Sequence, residues 1–132
     1  MAFMIHSYDD GQVRPWEYLP AGAITPKVGM ALVQSSGVFA VAGSTAKPTY
    51  ISMIDCASAL TSGTLIPVIR VDSGIVFETT NTAAMSGVSI GSKVTTSDGL
   101  KVTATTGSGV AEVVYKDAAA DAGAGGVVRV RF

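Results

Sequence analysis

The sequence predicts an all-β domain: a small barrel or sandwich of about seven to nine short strands, with an extended N-terminal arm and one or two short helical turns. Three observations predict it. Apolar and β-branched residues come in short runs. Turn signals bound those runs, among them Ser35-Ser36-Gly37, Asp72-Ser73-Gly74 and Ser97-Asp98-Gly99. No stretch keeps a helical period long enough to carry an amphipathic face.

Residues 1–28 read as the arm. They hold Phe3, Tyr8, Trp16 and Tyr18, and three of the five prolines, Pro15, Pro20 and Pro26. Proline at that density argues against a helix and against a central strand. The aromatics need burial, either across the chain's own barrel or on a neighbouring subunit. Residues 29–132 read as one β-barrel domain. Within it, 29–34 and 38–42 flank Ser35-Ser36-Gly37 as a hairpin, and 49–54 is the next strand. Segments 65–71 and 75–80 flank Asp72-Ser73-Gly74 and read as a second hairpin. In the latter strand Ile75, Phe77 and Thr79 share one face. Segments 93–96 and 100–105 flank Ser97-Asp98-Gly99. Residues 110–115 follow, with Ala111, Val113 and Tyr115 on one face. Residues 127–132 close the chain, Val128, Val130 and Phe132 opposing Arg129 and Arg131. Asp55 and Asn81 read as N-caps of about one or two helical turns over 55–60 and 81–85, stopped by Gly63 and Gly87. The alanine- and glycine-rich 117–126 reads as a flexible loop with a helical turn at its start. No repeat of fixed period points to a propeller or solenoid.

Composition narrows the function. Hydrophobic residues make up 48% of the chain and charged residues 14%, against about 25% charged in a typical soluble domain. So little charge suits a compact barrel with a small surface, or better, a protein that buries surface against partners. The net charge of −1 and pI near 5.6 argue against a nucleic-acid binder. No window approaches the roughly 18 apolar residues of a membrane span. The start lacks a basic region, and Asp9 and Asp10 interrupt it, so no signal peptide is expected. The single cysteine rules out an intrachain disulfide and suits a reducing compartment.

Few residues of the chain fall in patterns that carry chemistry. His6, the only histidine, lies near Asp9 and Asp10, but in an arm poorly suited to hold catalytic geometry. Cys56, between Ile54, Ala57 and Leu60, reads as a buried small hydrophobe, and Asp55 as a cap. No Gly-x-Ser-x-Gly elbow, P-loop, dinucleotide fingerprint or calcium loop is present. Asp72, Glu78, Asp98 and Glu112 fall in turns or on polar strand faces. The barrel aromatics Phe39, Tyr50, Phe77, Tyr115 and Phe132 fall mostly at core positions, which disfavours a sugar platform. A non-enzymatic protein with no metal or cofactor is expected.

The run Val28-Gly29-Met30-Ala31-Leu32-Val33, continuing through Ser36-Gly37 to Gly43 and then Pro48-Thr49-Tyr50-Ile51, resembles the head-decoration proteins of tailed bacteriophages, lambda-type and related. The likeness covers roughly residues 15–54 and is one of style and spacing. It implies a trimer or similar homo-oligomer on the outside of a capsid, stabilising contacts between major capsid protein subunits. It implies a virion protein made in the host cytoplasm, whose arm adds to a capsid strand. Carried onto this chain, the contact residues are Pro15, Trp16, Tyr18 and Leu19. The aromatic start, Phe3 to Tyr8, departs from the family pattern. The alternatives are another virion part, such as a head-fibre base or tail protein, and a carbohydrate-binding module, which requires an exposed aromatic strip on one sheet.

Overall fold

The computed structural model describes residues 2–132 and is all-β, with one short helix. The first 28 residues, expected as an arm, supply two strands: β1 (Met4–Tyr8) and β2 (Glu17–Ala21). Four more strands follow: β3 (Ala31–Ser35), β4 (Val38–Val41), β5 (Tyr50–Ser52) and β6 (Thr64–Arg70). Strands β2, β4, β3, β5 and β6, in that order, close a five-stranded barrel. The barrel is sealed where β2 meets β4 in parallel at a single pair, Ala21 opposite Phe39.

The second layer is an open antiparallel sheet. It uses β7 (Ile75–Thr80), β8 (Lys93–Val94), β11 (Ala111–Lys116) and β12 (Val127–Arg131), with β1 at one edge, in the order β1-β7-β12-β11-β8. Between them β9 (Thr96–Ser97) and β10 (Lys101–Val102) form a two-stranded ribbon, turned by Asp98-Gly99 with both residues at positive φ.

The β3–β4 hairpin forms as expected, around Ser36-Gly37, both at positive φ. Three expectations need correction. The segments flanking Asp72-Ser73-Gly74 do not pair with each other. Both edges of β6 are already occupied, by β2 and β5, so the turn carries the chain into the other sheet, where β7 pairs with β1 and β12. Turn chemistry fixes where a chain bends, not which strand it then meets. Tyr115 does not share the buried face of Ala111 and Val113, because a register shift between Val113 and Tyr115 rotates it outward. Residues 55–60 and 81–85 form no helix. The Asp55 carboxylate accepts the Val28 N–H at 2.8 Å, and Cys56 and Leu60 hydrogen-bond along residues 24–26, holding that segment as a loop.

The helix is α1 (Ala118–Ala122), capped by Asp117, whose carboxylate accepts the Ala120 N–H at 2.7 Å. Asn81, expected as a cap, is buried and binds this helical loop instead. Its amide nitrogen donates to the Ala83, Ala120 and Gly123 carbonyls, and its oxygen accepts the Gly126 N–H.

Apolar alternation builds two cores. Inside the barrel Leu32, Phe39, Tyr50, Ile66 and Val68 pack together. Between the layers Phe3, Ile51, Ile69, Phe77, Val130 and Phe132 form the larger one. Phe3 meets Phe132 edge-on at 5.2 Å, which ties β1 to its own chain.

Candidate interaction face

Strand β6 is apolar at both parities. Ile66 and Val68 point into the barrel. Leu65, Pro67 and Ile69 point out. At one end of that outer row Ile69 is 2% exposed, because the second sheet lies over it. At the other end the cover stops, and Leu65 is 61% exposed. The register sets Pro67 opposite Tyr18 and Leu65 opposite Pro20, on the same face. Tyr18 is 62% exposed and Trp16, two residues earlier, 51%. The result is an uncharged strip, Trp16, Tyr18, Pro20, Leu65 and Pro67, that continues an internal apolar interface beyond its cover. Met53, whose N–H donates to the Pro67 carbonyl at 3.0 Å, borders the strip. It also lines an apolar crevice of about 160 Å³ with Phe3, Ile5 and Ile51.

Proline is compatible with this strand pair. Pro20 and Pro67 fall in cross-strand pairs two residues apart, so they share one phase of the ladder, and the alternate pairs supply the N–H bonds. On its other side β2 is paired only at Ala21.

The outer face of the second sheet differs in kind. Lys93, Glu112 and Arg131 stand side by side across β8, β11 and β12. Glu78 and Arg129 pair at 2.9 Å, with the Arg129 guanidinium 4.5 Å above the Tyr115 ring. That face is built for water; the β2–β6 face is not.

The residues expected to contact a partner separate here. Pro15, Trp16 and Tyr18 are exposed. Leu19 is half-buried and packs against the barrel core, because it alternates with Tyr18. Leu65 and Pro67 were not anticipated. Their signal is the unbroken apolar run in β6, which implies that both faces of the strand meet something.

The remaining candidates are engaged or isolated. The His6 ring is within hydrogen-bond distance of the neighbouring Ser7 hydroxyl at 3.1 Å. Asp9 pairs with Arg131, and Asp10 with Arg14. Cys56, expected to be buried, is half-exposed in the loop. Among the described residues no three His, Cys, Asp or Glu side chains converge on a common point, and no helix is long and apolar enough to cross a membrane. Of the aromatics beyond residue 28, Phe39 and Tyr50 in the barrel and Phe77 and Phe132 at the second sheet are buried, and Tyr115 is exposed.

No protein-family model matches the sequence, and comparison with curated proteins and with solved structures returns no match.

Proposed function

We propose that this chain is a structural virion protein that binds the outside of a phage capsid through its β2–β6 face and stabilises contacts between major capsid protein subunits. The observation that carries the reading is the uncharged strip of Trp16, Tyr18 and Leu65, which contrasts with the charged outer face of the second sheet. The resemblance over residues 15–54 supports it.

Magnitude favours an array of copies. Burying the exposed halves of three large side chains contributes about 1–2 kcal/mol each, together about 3–6 kcal/mol. Millimolar affinity already needs about 4 kcal/mol. One such strip binds weakly alone, and gains strength when a homo-oligomer such as a trimer presents several copies to a repeating shell.

The test is co-sedimentation with undecorated shells assembled from the major capsid protein encoded in the same genome. The wild type is expected to pellet with the shells. The triple variant W16S/Y18S/L65S is expected to stay in solution with an unchanged melting temperature, since none of the three fills a core. Equal pelleting of both proteins, or of neither, overturns the reading.

A second reading draws on the same residues. Trp16 and Tyr18 occupy alternate positions on one outer face, the arrangement a carbohydrate-binding module uses to stack sugar rings. Glycan-array binding that is lost in W16S, with no shell binding, would select it.

A further inference from the structure

Trp16 is half-exposed, so core packing does little to fix its ring. Its backbone, however, is held from both sides. On the C-terminal side, the Glu17 carboxylate pairs with Arg70 at 3.0 Å. On the N-terminal side stands Arg14, at the end of the 9–16 segment that leads from β1 in the sheet to β2 in the barrel.

Arg14 grips the other connection between the two layers, the β6–β7 turn. Its Nε donates to Asp72 Oδ2 at 2.7 Å and its Nη2 to Asp72 Oδ1 at 3.1 Å. The remaining nitrogen, Nη1, donates to Asp10 at 3.0 Å and to the Gln12 carbonyl at 2.6 Å, closing the segment on itself. The guanidinium lies 5.3 Å from the Tyr8 ring centre. The Asp9 N–H donates to the Gly74 carbonyl, and Arg131 joins Asp9 to the Ser73 carbonyl. Between this clamp and Trp16 stands only Pro15. Its ring fixes φ, and it also confines the preceding Arg14 backbone to extended conformations. Position at Arg14 is therefore passed to Trp16 with few free torsions.

We propose that Arg14 is a positioning residue for the interaction face: its bidentate pair with Asp72 latches the 9–16 strap to the β6–β7 turn and so aims Trp16. The proposal rests on the reading of that face as a docking surface, but its test needs no partner.

The charged and titratable groups at the latch are Asp72 on the turn, Asp9 and Asp10 on the strap, Tyr8 on β1 and Arg131 on β12, with Glu112 beside Arg131. The latch needs an ionised Asp72. The Arg14 hydrogen bonds hold both Asp72 and Asp10 below the usual carboxylate range, so the latch opens only in acid, below that range.

Trp16 is the only tryptophan of the chain, so fluorescence reports this position alone. The experiment measures Trp16 anisotropy and acrylamide quenching on the full chain from neutral to acid pH. The variants are Asp72→Asn and Arg14→Gln. An asparagine at position 72 keeps an acceptor for the Gly74 N–H, so the turn survives while the charged pair is lost. Both variants are expected to lower anisotropy at neutral pH and to remove the acid step shown by the wild type. Quenching is expected to rise by at most about twofold, because roughly half of the residue is already accessible. Asn81→Ala, which weakens the fold elsewhere, is expected to leave both signals unchanged below its melting point. If either variant fails to fold, the wild type in high salt supplies the same test, since the pair is partly exposed and screening weakens it. Wild-type anisotropy that ignores acid and salt, or folded variants with a wild-type signal, overturns the proposal. Shell binding that survives W16S/Y18S/L65S overturns the docking reading and leaves the latch standing.

Discussion

Replacing Asn81 by alanine is expected to lower stability by about 3 kcal/mol. Asn81 is 1% exposed, and its amide makes four contacts of 2.7–2.9 Å. The contacts are not equal. The Ala120 carbonyl keeps a second donor, the Met85 N–H at 2.9 Å. Ala83 is exposed and Gly123 half-exposed, so their carbonyls can turn to water. The Gly126 N–H is different: Gly126 is buried, and the Asn81 oxygen is its acceptor at 2.8 Å. Leaving that donor unpaired costs about 1–3 kcal/mol, and the lost amide bonds and small cavity add about 1 kcal/mol more. Against a total stability of about 5–15 kcal/mol, the melting temperature is expected to fall by roughly 10 °C. Thermal and urea unfolding followed by circular dichroism measure it. Asn81→Asp sharpens the test. It keeps an acceptor for Gly126 but points a carboxylate at three carbonyls. That raises its folded-state pKa above the unfolded value of about 3.9, so its damage is full at neutral pH and eases as pH falls. A cost below about 1 kcal/mol for both variants refutes the reasoning.

Three further outcomes are expected. Phe3→Ala removes a fully buried ring from the inter-layer core, and should cost about 3–5 kcal/mol in urea unfolding, with faster hydrogen exchange along β1. Gly99→Ala should lower the melting temperature in scanning calorimetry. Gly99 has φ +67, and a Cβ there would stand 2.7 Å from Val41 and 3.0 Å from the Ala31 carbonyl oxygen. Stability should fall as pH drops below roughly 4: the carboxyls of Asp72 and Asp10 are depressed in the folded state, so their contribution is present above the unfolded value and is lost on protonation. Asp72→Asn should flatten that acid limb. The change should be small, because Asp72 is 42% exposed and solvent screens the pair.

Much of the fold could be read from the chain because strand alternation and turn chemistry are local. Ile75, Phe77 and Thr79 face one way because successive Cβ atoms alternate, and all three are buried. Ser36-Gly37 and Asp98-Gly99 turn where they do because glycine, and aspartate to a lesser degree, tolerate the positive φ these turns require. Trp16 and Tyr18 are contact residues that the family resemblance implies, and both are exposed. Leu19, named beside them, shows the limit of proximity in sequence: the neighbouring position on a strand faces the opposite way.

The sequence by itself determined the all-β class, most strand positions and the shortage of charge, and left open whether Trp16 and Tyr18 bury against their own chain; their exposure is a property of the folded structure. Only the tertiary structure decided the partners of those strands. It sent β7 away from β6, folded residues 4–8 and 17–21 onto two different sheets of the same chain, and drew Asn81 into the 117–126 loop. It also decided that Ile69 is covered and Leu65 is not, though both sit on one face of one strand. The reason is that alternation specifies which side of a strand is apolar, while the reach of the opposing sheet, set by residues far along the chain, specifies how much of that side is buried.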